Sequence, residues 1–97
     1  MAFWLLLTSI SGCAHDAVAE GEEVYGRTCE NCHGPDGTAG IQVDGVPAAD
    51  LTVVVPQLSD DDLATMITDG IGAMPAQDLG GREVDDVIAY LRATFGD

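Results

Sequence analysis

The sequence contains no lysine, only three arginines and two histidines, against 17 acidic residues, for a formal net charge of −14. Nucleic acid is excluded as a partner, because binding to phosphate runs on Lys and Arg displacing counterions. An anionic membrane surface is excluded as an electrostatic partner for the same reason. Aromatic residues are scarce as well, with one Trp, two Tyr and two Phe. Such side chains carry much of the buried area of a small core, so a chain this short needs something further to fill its interior. Apolar runs are short too, and none approaches the roughly 20 residues that cross a bilayer. What remains is still 46% hydrophobic, too apolar for a disordered acidic tail. At 97 residues there is room for one small domain.

Residues 1–12, MAFWLLLTSISG, carry no charge. Their apolar run has the size of a secretory h-region, and small residues follow it. Ile10-Ser11-Gly12-Cys13 resembles a bacterial lipobox, in which cleavage precedes the Cys and the Cys is acylated. That resemblance implies a lipoprotein-type signal peptide at 1–12, a lipidated Cys13, a tether at 13–16 and a domain at 17–97. The readings without lipid are a plain signal peptide, or an apolar N-terminus buried with Cys13 as a core thiol. Trp4 precedes the cleavage point, which leaves Tyr25, Tyr90 and Phe95 as the aromatics of the mature chain.

Cys29-Glu30-Asn31-Cys32-His33 has the C-x-x-C-H spacing that attaches a c-type haem. Two thiols three positions apart on one helical turn can add to the two vinyl groups along one porphyrin edge. The adjacent His33 is then aimed at the iron from the proximal side. Export agrees with this, since haem attachment of this kind takes place outside the cytoplasm. Three other readings stay open here. A thiol oxidoreductase places C-x-x-C after a strand in a βαβ pattern, for which this chain is too short. Structural zinc wants four ligands, and beyond the motif only His15 and Cys13 are left. A disulfide between Cys29 and Cys32 is sterically awkward.

A second ligand candidate lies in the loop Gly70–Gly81, where Met74 is followed by the stiffening Pro75. A thioether is a soft ligand suited to ferrous iron, and His/Met ligation raises the reduction potential. Met66 is its rival, but it falls inside a helix at core spacing, where Met serves packing.

Gly21-x-x-x-Tyr25-x-x-x-Cys29-x-x-Cys32-His33-Gly34, then Met74-Pro75, then Val87-Ile88-Ala89-Tyr90-Leu91 together resemble a small class I (monohaem) cytochrome c over residues 17–96. The resemblance implies an all-α fold of three to four short helices wrapped around one covalently attached haem c. Its N- and C-terminal helices cross, with Gly21 as their contact point and Tyr90 packed against Gly21 and Tyr25. Cys29 and Cys32 are the expected thioether residues, His33 the proximal iron ligand and Met74 the distal one. Pro47 is the expected loop residue whose carbonyl accepts the Nδ1 proton of His33. The implied function is one-electron carriage in a respiratory chain, without enzyme activity. The protein is expected to be exported and lipid-anchored on the periplasmic side of a bacterial membrane. There it would meet redox proteins with a basic docking surface. Two alternatives accompany this reading: a fixed electron-transfer subunit of an oxidase or dehydrogenase complex, or a haem sensor or peroxidase-like protein with an open iron site.

Residue patterns supply the remaining expectations. A first helix runs from Ala17 to about Cys32, with Val18, Gly21, Tyr25 and Cys29 on one stripe. His15 precedes it in the exposed tether. Gly34 to Ala49 reads as irregular loop, and Leu51 to Val55, β-branched and followed by Pro56, as extended chain against the haem. Ser59 caps the next helix, with Asp60, Asp61 and Asp62 in its first turn. This triplet is a helix start rather than a metal site. The last helix spans Glu83 to Phe95, and Gly96 stops it.

Overall fold

Asp16 opens the first helix, α1 (Ala17–Thr28), because its side chain accepts from the Ala19 N–H and relieves one orphan donor. The structure, a computed structural model, describes residues 15–96. The signal peptide and Cys13 expected from the sequence lie outside the described residues. After α1 come a one-turn helix α2 (Glu30–His33), a two-stranded antiparallel ribbon of β1 (Gln42–Val43) and β2 (Val46–Pro47), and a short helix α3 (Leu51–Val54) running into a 3₁₀ turn at Val55–Gln57. Two further helices, α4 (Asp60–Asp69) and α5 (Gly81–Phe95), complete it. The all-α class is as expected, and α1 and α5 form the main packed pair.

Their crossing is set by Gly21. A Cβ there would lie 1.9 Å from the Asp86 carbonyl oxygen and 2.8 Å from the Tyr90 Cβ, so only a residue without a side chain lets the backbones approach. Tyr25 packs on Tyr90 and Phe95, with ring centroids 5.3 and 5.9 Å apart. Val24, Val84, Val87, Ile88 and Leu91 fill the rest of this interface. Val18, expected on the inward stripe, is 42% exposed; the helix turns Val24 inward in its place.

Three local expectations are revised. Leu51 to Val55 is helical rather than extended. Asp50 caps it by accepting from the Thr52 N–H, and burying Leu51 and Val55 on one face outweighs β-branched propensity. Pro56 sits in the first turn of the 3₁₀ segment, where its missing N–H costs nothing. The single helix expected over 17–32 breaks at Cys29. Gly96 ends α5 in a right-handed conformation, φ −73°, rather than the left-handed one of a glycine stop. Ser59 does cap α4 as expected, accepting from the Asp62 N–H.

Two ion pairs tie α5 to its neighbours. Arg92 donates from Nε to Asp60, from Nη1 to the Val55 carbonyl at 2.7 Å, and from Nη2 to the Leu58 carbonyl. That clamps the 3₁₀ turn and the start of α4 against the last helix. Arg27 pairs with Glu83 across α1 and α5 at 2.9 Å. Glu83 Oε1 also accepts from the Gly80 N–H, and these contacts, the backbone one first, hold its carboxyl below the ordinary carboxylate range.

Gly21→Ala is expected to destabilise the protein by about 3 kcal/mol, because backbone must move to admit the methyl. Gly26→Ala, in the same helix with nothing within 4 Å of its added Cβ, should stabilise by about 0.5–1 kcal/mol through helix propensity. Urea midpoints of the two variants, moving in opposite directions, check the crossing. A depressed folded-state value at Glu83 contributes stability above the unfolded carboxylate range and loses it as pH falls through the folded value. Glu83→Gln should therefore be less stable than wild type near neutrality and converge with it in acid, as read from urea midpoints over a pH series.

Candidate haem-binding site

The attachment motif straddles the junction of α1 and α2. Thr28 donates its hydroxyl to the Val24 carbonyl at 2.8 Å, a back-bond that bends helices, and the chain breaks step at Cys29, φ −106°. The Cys29 carbonyl still accepts from the Cys32 and His33 N–H groups at 3.3 and 3.1 Å. Both thiols and the histidine are thereby wound on one turn. Cys29 and Cys32 are free, half-buried thiols rather than a disulfide. Burial pushes the Cys29 thiol up, which the hydrogen bond to Thr28 partly opposes.

His33 is buried, and its Nδ1 lies 2.9 Å from the Ala49 carbonyl oxygen. A carbonyl only accepts, so Nδ1 carries the proton and Nε2 is the nitrogen left to face a metal. The partner expected in this role was Pro47; it is Ala49. Asp44 and Gly45, at φ 52° and 80°, make a two-residue hairpin turn. Pro47 is thereby drawn into the ribbon opposite Gln42. The ribbon closes with the Ala48 N–H on the Ile41 carbonyl at 3.0 Å. Ala49, the first residue past that bond, turns its own carbonyl to the imidazole. The ribbon in turn rests on the motif, through the Ile41 N–H to the Cys32 carbonyl and the Ala39 N–H to the His33 carbonyl. Asp44-Gly45 is a hairpin signal that a reading of the segment as plain loop passes over.

Met74 stands on a separate loop fixed by its own contacts. It exchanges both backbone hydrogen bonds with Ile71, at 3.0 and 2.9 Å. Gly70, at φ 79°, lets this turn fold back on itself: a Cβ there would lie 2.8 Å from the Met74 carbonyl. The Gln77 N–H donates to the Ile67 carbonyl at 2.8 Å, fastening the far side of the loop to α4. Met74 is half-buried, and Met66 sits within α4.

His15 is engaged elsewhere. Its Nε2 lies 2.9 Å from Oδ1 of Asp86, a buried carboxylate on α5, at the opposite end of α1 from Cys29. No residue pattern pointed to this pair, because nothing links positions 71 apart except the helix crossing.

The donor set suits haem c. Two free thiols and a buried imidazole share one turn, and the imidazole's outer nitrogen is already committed. The oxidoreductase alternative loses ground because the motif follows a helix rather than a strand. Among the described residues no three His, Cys, Asp or Glu side chains come together to hold a metal ion. Also among the described residues, no helix is long and apolar enough to cross a membrane.

A family model described as cytochrome C oxidase, cbb3-type, subunit III matches residues 16–91 of the chain. No curated protein and no solved structure gives a match. Because Ala49 rather than Pro47 holds His33, Pro47→Ala should leave the midpoint potential of the haem-loaded protein unchanged in a spectroelectrochemical titration.

Proposed function

As this chain belongs to the family of cytochrome c oxidase, cbb3-type, subunit III, we propose that it carries single electrons through one haem c with His33 and Met74 as axial ligands. Membership of that family implies a cytochrome c domain, with covalently bound haem and haem-based electron transfer. The observation that carries the finer reading is the buried His33, with Nδ1 committed to Ala49 and both thiols on the same turn. When bound, the haem supplies a one-electron Fe(II)/Fe(III) couple.

The chain's own residues do the rest. Cys29 and Cys32 would hold the porphyrin edge by thioethers, and His33 would present Nε2 to the iron. Met74, on a loop stiffened by Pro75 and by its pairing with Ile71, would supply a soft sulfur that favours the ferrous form. With His33 and Met74 both holding the iron, no position would be left for a substrate, and the protein would act as a carrier rather than an enzyme. Export, a lipidated Cys13 and a place on the periplasmic side of a bacterial membrane belong to the same proposal. A redox partner with a basic face complements a net charge of −14. The family description also favours a second reading, a fixed electron-transfer subunit of an oxidase complex, which the same residues would serve.

Met74→Ala should leave the haem covalently attached, lower the midpoint potential and abolish the weak thioether absorption band of the ferric form. An unchanged potential removes Met74 from the ligand set. Rapid CO binding by the native ferrous protein would favour an open iron site instead, and a wild-type chain that never acquires a covalent Soret absorber would end the haem reading.

A further inference from the structure

Tyr25 stands one helical turn before Cys29 and is 2% exposed. Its hydroxyl donates to the Gly34 carbonyl at 2.5 Å, so the side chain reaches over the attachment turn to the residue that follows His33. The ring is held between Tyr90 and Phe95, which fixes where the hydroxyl can point. A phenylalanine would fill the same space and make the same ring contacts. The hydroxyl therefore adds nothing to packing; what it adds is a donor for a buried carbonyl. Burial, with the neighbouring Cys29 thiol a smaller cause, holds the phenol's proton well above its ordinary range, so the group stays a donor.

Gly34 is confined on its other sides. Its N–H donates to the Glu30 carbonyl at 2.8 Å. Its φ is +77°, and a Cβ would lie 2.7 Å from that of Ala39. His33 is thus suspended between two fixed points: the Gly34 carbonyl, held by Tyr25, and the ring Nδ1, held by Ala49.

We propose that Tyr25 is a positioning residue for the iron site, its hydroxyl fixing the Gly34 carbonyl and, through it, the angle at which His33 presents Nε2. The inference rests on the haem reading above. Without the hydroxyl, the buried Gly34 carbonyl keeps only the longer bond from the Gly37 N–H at 3.3 Å, and the turn shifts toward that donor because a lost buried partner is costly. The Nδ1–H···O bond to Ala49 then lengthens. An imidazole whose outer proton is less firmly held is a less basic ligand, the ferric form loses stabilisation, and the potential rises.

The test compares wild type, Tyr25→Phe and Val87→Ala as haem-loaded full-length proteins. Val87 is fully buried on α5, so its variant lowers stability while the Tyr25 hydroxyl stays in place. Tyr25→Phe should raise the midpoint potential and speed exchange of the His33 Nδ1 proton in the ferrous form by roughly tenfold, the factor one hydrogen bond commands. Val87→Ala should change neither. Failure of Tyr25→Phe to take up haem, with Val87→Ala loading normally, would also support the proposal, since the attachment turn is then misplaced. An unaltered potential and exchange rate in Tyr25→Phe, or equal changes in Val87→Ala, would overturn it. A wild type without covalent haem strikes instead at the parent reading.

Discussion

The contact on which everything else hangs is backbone against backbone, where α1 meets α5 at Gly21. The space a methyl group would occupy there is already taken by the Asp86 carbonyl. Bringing the helices this close has two consequences. It gathers Tyr25, Tyr90 and Phe95 into one cluster, with the last two edge to face at 6.2 Å, so the few aromatic side chains act on one another. It also turns a carboxylate, Asp86, into the buried seam. An unpaired buried carboxylate is expensive, and His15 from the chain's leading segment supplies its partner.

From that crossing the site follows by short steps. The crossing fixes the rotation of α1, and the rotation aims Tyr25 inward. Tyr25 then reaches Gly34, while the bend at Thr28 brings Cys29, Cys32 and His33 onto one turn. The loop beyond must return to the imidazole, and it does so as a ribbon hydrogen-bonded to the motif it serves. Arg92 secures the next stretch by taking two backbone carbonyls and a carboxylate at once. A loop of this length without regular structure is unstable in isolation; here each few residues are tied to a helix.

What the sequence made legible was whatever depends on neighbours along the chain. The C-x-x-C-H spacing, the Ser59 cap, the amphipathic last helix and the need for a glycine at position 21 were all readable from local pattern and resemblance. The errors arose where tertiary contact decides between near-equal local choices. Val53 and Val54 favour extended chain, yet the Asp50 cap and the burial of Leu51 and Val55 make the segment helical. Pro47 and Ala49 are two residues apart, and a hairpin register chooses which carbonyl meets His33. The His15–Asp86 pair exists only because two helices cross. Its members have no local signature.

The charge pattern acquires a physical reason at the same level. Acidic residues are spread from Asp16 to Asp97, but no arginine falls between Arg27 and Arg82, the stretch that holds the C-x-x-C-H motif and Met74. Cations survive where the fold uses them. Arg92 occupies three acceptors through the planar fork of its guanidinium, a geometry that a lysine ammonium cannot match. Arg27 spans α1 and α5 to reach Glu83. Two of the three arginines serve such bridges, and with no lysine in the chain the acidic residues dominate its charge. Exposed ion pairs contribute little to stability, so few cations are needed to hold the fold. The long-range field is then free to follow from how the protein meets others rather than from how it folds.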